Sequence, residues 1–214
     1  YEVLGNKRIM TTHIPHLLIV GGASRNVGKT TFLRALICHF AATHRVVAVK
    51  IKTIRTGDSF FHGRDTHPLV GNFEITEETP DGTEDGPLML QAGAQQVFRI
   101  KCHDWALAEA WQACTERMQQ AEMIVCESNS LRLHISPGLF LLIKHRERPT
   151  NLKPSAHEVE HLASRIVWTD GTQHDLLPTS LIFTHGQWRL PALATEHELT
   201  PQNNPCNTKH HGDI

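Results

Sequence analysis

Apolar and polar positions divide the chain into short blocks whose periods are those of alternating strands and helices. Short runs of apolar or β-branched residues predict buried strands, and apolar residues recurring every three or four positions predict helices. The predicted strands cover 14–20, 45–52, 96–100, 123–126, 139–143, 166–168 and 181–184. The predicted helices cover 29–42, 88–94, 104–121 and 155–164. This order predicts an α/β fold, a three-layer sandwich in which helices cover both faces of a mostly parallel sheet.

Single side chains refine these predicted elements. Asp104 is the expected cap of the third helix, and Ser155 and Glu158 have the spacing of a capping box at the start of the fourth. A short hairpin is expected around 69–75. The helical period predicts that the third helix buries one stripe of side chains, namely Trp105, Ala108, Trp111, Cys114 and Met118.

One domain is predicted over 14–190, after an N-terminal extension at 1–13. The polar connection 54–86 interrupts this domain, and so long a connection is usually functional or mobile. From 191 onward the chain is rich in polar residues, which predicts a disordered tail. In the connection, the candidates for catalysis or metal binding are Asp58, His62 and Asp65. In the tail, the candidate metal ligands are Cys206, His210 and His211.

The segment after the first predicted strand has the layout of a phosphate-binding loop. Glycines end the strand, and the sequence Gly28-Lys29-Thr30-Thr31 opens the helix. Glycines let the backbone approach a ligand closely, and the first amides of a helix bind anions. Lys29 would then lie between the terminal phosphates, and the Thr30 hydroxyl would bind Mg²⁺. The predicted nucleotide-binding residues are Gly22, Ser24, Arg25, Asn26, Val27, Gly28, Lys29, Thr30 and Thr31.

Acidic and basic residues at predicted strand ends could complete this site. Glu127 directly follows the fourth predicted strand, so we expect it at the carboxyl edge of the sheet, where such folds bind ligands. Asp85 precedes the second predicted helix and is a further candidate, with helix capping and the neighbouring Glu84 as alternatives. Lys50 and Lys52 end the second strand on one face and could meet an anionic substrate. The predicted metal ligands are Thr30, Asp85 and Glu127, and the predicted catalytic residues are Lys29, Lys50 and Glu127.

Composition narrows the class of partner. The 214 residues carry a formal net charge of −1, so no overall attraction to nucleic acid or to an anionic membrane is expected. No stretch has the length and hydrophobicity of a membrane span. The five cysteines are widely spaced and odd in number, which favours reduced core thiols in a cytoplasmic protein over a disulfide framework.

Three motifs resemble those of known families. The loop 22–30, Gly-Ala-Ser-Arg-Asn-Val-Gly-Lys-Thr, resembles the phosphate loop of dethiobiotin synthetase, including the five residues between its two glycines. Asp85 followed by Ala92-Gly93-Ala94 is similar to the pattern Asp-x₆-Ala-Gly-Ala of molybdopterin-guanine dinucleotide biosynthesis protein B. Glu127 fits the strand-end glutamate of both families, and Lys50 fits a strand-end lysine of the synthetase. Over roughly 14–145 the chain therefore looks like a P-loop NTPase of the branch that contains these families and nickel-insertion GTPases.

This resemblance implies a P-loop NTPase-like fold. Lys29 and Thr30 would bind phosphate and Mg²⁺, and Asp85 and Glu127 would help to hold the metal. Two departures separate the chain from the families. Leu88 stands where the molybdopterin family usually has an arginine, and 128–131, Ser-Asn-Ser-Leu, stands where the synthetase has Gly-Ala-Gly-Gly. The substrate of neither family therefore carries over.

Four functions fit these observations. The first is a Mg²⁺-dependent nucleoside-triphosphate-binding protein, a slow NTPase resembling the accessory protein of molybdenum cofactor biosynthesis. The others are an ATP-dependent ligase or kinase acting on a small acid, a nucleotide-switched metallochaperone, and a non-catalytic nucleotide sensor. ATP and GTP both stay open, because the guanine-reading motif Asn-Lys-x-Asp is absent at 144–147. The expected partners are the nucleotide and a small acid or pterin cofactor, and this branch implies a homodimer as one assembly.

Overall fold

The computed structural model describes residues 12–55, 69–118 and 120–192. Its strands are β1 (Thr12–Gly22), β2 (Val46–Ile54), β3 (Phe73–Glu77), β4 (Gln96–His103), β5 (Met123–Glu127), β6 (Ile135–His145), β7 (Arg165–Thr169), β8 (Ile182–Thr184) and β9 (Gln187–Arg189). Its α-helices are α1 (Lys29–Phe40), α2 (Asp85–Gln91), α3 (Leu107–Thr115) and α4 (Pro154–His157). Each predicted strand and helix has a counterpart among these elements, whereas β9 was not predicted and β3 overlaps only the predicted hairpin.

Seven strands form one sheet in the order β3-β4-β2-β5-β1-β6-β7. All neighbours pair in parallel except β3, which runs antiparallel to β4. The prediction of a hairpin around 69–75 is wrong, because β3 pairs with a strand that begins 19 residues after its own end, at Gln96. The parallel order brings the carboxyl ends of β2, β5, β1 and β6 to one edge of the sheet, where ligands bind in folds of this kind.

Two apolar cores lie on opposite faces of this sheet. Leu18 and Val20 of β1 pack with α1 and α2 in one core, and Leu17 and Ile19 pack with α3 and α4 in the other. All four side chains are fully buried. Because successive side chains of a strand point to opposite faces, one apolar run can supply both cores. The α/β fold with helices on both faces of a mostly parallel sheet is therefore confirmed.

The helix predicted over 104–121 is shorter than expected. Residues Asp104–Ala106 form a 3₁₀ turn, and α3 itself ends at Thr115. The Asp104 carboxylate accepts a hydrogen bond from the next backbone N–H and does not cap α3. At the other end, the Thr115 hydroxyl donates to the carbonyl of Gln112 at 2.7 Å. Such side-chain bonds compete with the helical backbone pattern.

The buried stripe predicted for this helix is partly wrong. Trp111, Cys114 and Met118 are buried as expected, but Trp105 is 62% exposed and Ala108 is also exposed. The 3₁₀ turn places three residues in each turn instead of 3.6. Extending the α-helical period backwards through it therefore assigns the wrong face to Trp105. Within α3 the buried face runs through Leu107, Ala110, Trp111 and Cys114, which leaves Ala108 on the exposed side.

The helix predicted over 155–164 is reduced to α4 and a 3₁₀ turn at Glu160–Leu162. The predicted capping box does not form, because α4 begins at Pro154, one residue before Ser155, and both side chains of the box have tertiary partners. Glu158 accepts a hydrogen bond from Arg55 at 2.8 Å, and Ser155 accepts one from Asn129 at 3.2 Å. Contacts between distant segments thus replaced the local cap.

Several predictions concern residues outside the described ranges. They include most of the N-terminal extension 1–13, residues 56–68 of the connection, and the tail from 193 onward. The candidates in these segments, which stay predictions, are Asp58, His62, Asp65, Cys206, His210 and His211.

Candidate functional site

The loop between β1 and α1 folds closely around Lys29. A side-chain carbon added at Gly22 would lie 2.7 Å from Cδ of Lys29 and 2.8 Å from Cγ1 of Val27, so only glycine leaves room for the lysine to fold back over the loop. Gly28 precedes α1 with a φ of 88°, a conformation that glycine adopts without strain. The two glycines thus let the loop fold tightly against the lysine that opens α1.

The Glu127 carboxylate contacts the first two residues of α1, Lys29 and Thr30. The Lys29 ammonium lies 3.4 Å from one carboxylate oxygen, and the Thr30 hydroxyl donates to the other at 3.1 Å. Glu127 is the last residue of β5 and Lys29 is the first of α1, next to the end of β1 in the sheet. The parallel pairing of β1 with β5 thus brings together the lysine, the hydroxyl and the acid that were predicted separately.

Lys50 connects this group to Asp85. Its ammonium forms an ion pair with the Asp85 carboxylate and lies 3.8 Å from Glu127. Asp85 occupies the first turn of α2, which begins three residues before its predicted start at 88. The neighbouring Glu84 points elsewhere, since it pairs with Arg99 at 2.8 Å and is 73% exposed. Of the two acids left open by the sequence, Asp85 is the one at the site.

The electrostatics keep Glu127 ionised. Burial acts to raise the pKa of this carboxyl, but the charges of Lys29 and Lys50 and the hydrogen bond from Thr30 hold it below its usual range. The pKa of Lys50 is lowered by burial, against the opposing effect of Glu127. A carboxylate that is buried yet charged at neutral pH can bind a metal ion or orient water, and it is a poor proton donor.

These residues line a cleft of about 1100 Å³ at the carboxyl edge of the sheet. Its lining contains two carboxylates, Asp85 and Glu127, and six cationic side chains, an excess of four positive charges. The cationic residues are Arg25, Lys29, Lys50, Lys52, Arg55 and Lys153. A cleft of this size and sign is suited to a polyanionic ligand.

The nine predicted nucleotide-binding residues divide into two groups. Those that line the cleft are Arg25, Asn26, Gly28, Lys29, Thr30 and Thr31. Gly22, Ser24 and Val27 do not line it. The Val27 side chain is buried in the apolar core, so this position can offer a ligand only its backbone.

Asn129 holds the loop in place, and the sequence did not single it out. Its amide oxygen accepts a hydrogen bond from the backbone N–H of Gly22 at 2.9 Å, and its amide nitrogen donates to the carbonyl of Gly22 at 3.2 Å. β5 ends at Glu127, and the Asn129 amide continues its ladder along β1 in place of a strand backbone. The only signal in the sequence was the departure at 128–131 from the synthetase pattern.

The oxygen donors at the site fit Mg²⁺. Within the described residues, no three His, Cys, Asp or Glu side chains form a metal-binding group. A metal here would therefore need oxygen ligands besides Asp85 and Glu127. The Thr30 hydroxyl and the phosphates of a nucleotide would supply them, which is how Mg²⁺ is usually held, by one or two carboxylates with substrate phosphates.

The described helices include none that is long and apolar enough to cross a membrane. Comparison with known proteins assigns no family to the chain, because no family model, curated protein or solved structure matches it.

Proposed function

We propose that this chain is a Mg²⁺-dependent nucleoside-triphosphate-binding protein and a slow NTPase with a P-loop NTPase-like fold. It would resemble the accessory protein of molybdopterin-guanine dinucleotide biosynthesis. One observation carries the proposal: Lys29 and Thr30, both at the start of α1, meet the Glu127 carboxylate at 3.4 and 3.1 Å. A phosphate-binding lysine, a hydroxyl and an ionised acid at one point are the groups that Mg²⁺-triphosphate requires.

Each residue has a distinct part in this proposal. Lys29 and the first amides of α1 would bind the terminal phosphates and stabilise charge that develops on the transferred phosphoryl group. Thr30, Asp85 and Glu127 would hold Mg²⁺, which when bound neutralises charge on the phosphate oxygens. Lys50 keeps the two carboxylates close together, because its positive charge offsets their repulsion.

The position of Lys50 also supports a second candidate function. A lysine that is partly buried in the cleft and adjoins both acids could bind the carboxylate of a small acceptor. The chain would then be a ligase or kinase that transfers phosphate to an acid, as the resemblance to dethiobiotin synthetase implies. Phosphate release that depends on an added small acid distinguishes this activity from simple hydrolysis.

Calorimetric titration of non-hydrolysable ATP and GTP analogues, with and without Mg²⁺, tests the proposal. We expect one nucleotide to bind in a Mg²⁺-dependent manner, Lys29→Ala to abolish binding, and Glu127→Gln to remove the Mg²⁺ dependence. Arg45→Ala is the matched control, since it removes a cation just before β2, at the end of the sheet opposite the cleft. It should bind as the wild type does.

The identity of the nucleotide that binds distinguishes among the candidate functions. GTP would favour the molybdenum-cofactor accessory protein, and ATP the ligase or kinase. Tight binding without any turnover would contradict the NTPase and leave a nucleotide sensor. Binding of neither nucleotide, by a protein whose circular dichroism shows it to be folded, would contradict the whole proposal.

A further inference from the structure

Lys153 differs from the other buried cations of the cleft. Lys29 and Lys50 form ion pairs with Glu127 and Asp85, respectively, and the buried Lys144 outside the cleft pairs with Glu160 at 2.6 Å. The Lys153 ammonium has no ion pair or side-chain hydrogen bond among the described residues, although its side chain is partly buried and lines the cleft. A cation removed from water without a partner is costly.

The surroundings of Lys153 disfavour its charge further. Burial lowers its pKa to about 8, and the nearby cations Lys29, Arg25 and Arg55 lower it as well, while Glu127 acts in the opposite sense. A strongly perturbed group in a cleft is a sign of function when the geometry agrees. A bound anion would supply the counter-charge that the protein itself does not.

Hydrogen bonds attach Lys153 to the phosphate loop. Its backbone N–H donates to the carbonyl of Ala23 at 2.8 Å. Two residues further on, the Ser155 hydroxyl accepts a hydrogen bond from Asn129, whose amide also holds Gly22. The hydroxyl keeps its own proton for donation to a ligand. Lys153 and Ser155 are therefore positioned by the same contacts that position the loop.

These two residues come from a different segment than the predicted metal ligands. Lys153 and Ser155 lie after β6, whereas Glu127 and Lys50 belong to β5 and β2. All four line the same cleft, and within the described residues neither Lys153 nor Ser155 is bonded to Asp85 or Glu127.

We propose that Lys153 and Ser155 form a second anion-binding position in the cleft, which takes a phosphate or carboxylate group. The inference deepens the proposed function and rests on it for the identity of the cleft's main ligand. The anion has two possible sources: the terminal phosphate of the nucleotide itself, or a separate anionic acceptor that binds beside the nucleotide.

The test is calorimetric titration of wild type, Lys153→Met and the control Arg45→Met at pH 7. The titrants are nucleoside di- and triphosphates with Mg²⁺, and inorganic phosphate added both to the protein alone and to protein saturated with diphosphate. We expect Lys153→Met to lose about tenfold or more in affinity for one of these ligands, as is usual for a charged hydrogen bond, and Arg45→Met to lose none.

The ligand that is affected identifies the source. Loss for the triphosphate alone, with diphosphate and added phosphate unchanged, assigns the position to the nucleotide's terminal phosphate. Loss for added phosphate alone assigns it to a separate acceptor. The affected affinity should also fall above pH 8 in the wild type, as the lysine loses its proton, and this fall should be absent in Lys153→Met.

The outcomes separate this inference from the proposed function. If Lys29→Ala abolishes nucleotide binding but Lys153→Met binds every anion like the wild type, the inference is overturned and the function stands. If no nucleotide binds but Lys153 still governs phosphate affinity, the function fails and the anion position stands. If the wild type binds neither nucleotide nor phosphate, both are overturned. A thermal midpoint of Lys153→Met at or above that of the wild type excludes misfolding as the cause.

Discussion

Asn129→Ala tests how far the phosphate loop depends on a single side chain. The Asn129 amide bonds to both the N–H and the C=O of Gly22, a residue 107 positions away, and the contacts are buried. Alanine would leave both backbone groups without a partner where water cannot readily replace it. A buried polar group left unsatisfied costs about 1–3 kcal/mol. For two groups with partial relaxation, we expect a loss of about 3 kcal/mol in the free energy of unfolding.

The loss is large enough to measure. In a protein of this size it corresponds to a fall of about 6–12 °C in the thermal midpoint, and urea titration gives the free energy directly. Amide hydrogen exchange at Gly22 should become faster, because its acceptor is gone. Ser155→Ala is the matched control: it removes only the bond from Asn129 to Ser155 at 3.2 Å and leaves Gly22 paired. Its cost should not exceed about 1 kcal/mol.

The variant Asn129→Asp separates the hydrogen bonds of the Asn129 side chain from its size and shape, because aspartate has nearly the same shape as asparagine. An ionised aspartate keeps the acceptor for the Gly22 N–H but puts a second oxygen against the Gly22 carbonyl. Acidification would protonate that oxygen and restore a donor, so the aspartate variant should approach the wild type more closely at low pH than at pH 7. An alanine variant within about 0.5 kcal/mol of the wild type, with unchanged exchange at Gly22, would refute the idea that this amide replaces a strand backbone.

Three further predictions concern charge and burial. Lys153→Met should raise the free energy of unfolding by about 1–3 kcal/mol at pH 7, because a pKa lowered from 10.5 to about 8 marks a cation that destabilises the fold. This difference in the free energy of unfolding between the variant and the wild type should disappear as the pH rises from 8 to 10.5, because over this range the folded wild type loses the proton that the unfolded chain still holds. Equal stabilities at pH 7 in urea unfolding would contradict this account. Glu127→Gln should lower stability at neutral pH, and its difference from the wild type should shrink as the pH falls below 4.5 and through the lowered pKa, since the carboxyl stabilises the fold only while it is ionised. A difference that does not change with pH would contradict this. Thiol reagents should modify the exposed Cys38 and not Cys126, which is fully buried. Peptide mass spectrometry after labelling of the native protein measures this, and equal labelling of both cysteines would contradict it.

The sequence predicted the layers of the fold because their signal is local. The run at the centre of β1 is apolar at every position, and such runs occur in strands that are covered on both faces. The ends of α3 and α4 were less predictable. At α4, the local preference of Ser155 and Glu158 for a capping box was overridden by partners from elsewhere in the chain, Asn129 and Arg55.

The same distinction applies to the candidate site. Glu127 and Lys50 were predicted from their places at strand ends, which are visible in a single segment. On local sequence Glu84 was as good a candidate as Asp85, and only the resemblance favoured Asp85. In the structure Asp85 lines the cleft, whereas Glu84 pairs with Arg99 outside it. Asn129 and Lys153 carry no local motif, so only the folded chain could reveal them.

The sequence by itself determined an alternation of strands and helices and a loop with the composition of a phosphate site, since both depend on neighbours within a few residues. The tertiary structure alone decided which side chains surround that loop. The sheet order, with β5 and β6 on either side of β1, brings the segments that carry Glu127, Asn129 and Lys153 to the end of β1. That order depends on pairing between strands more than 100 residues apart in the chain, and no local pattern encodes it.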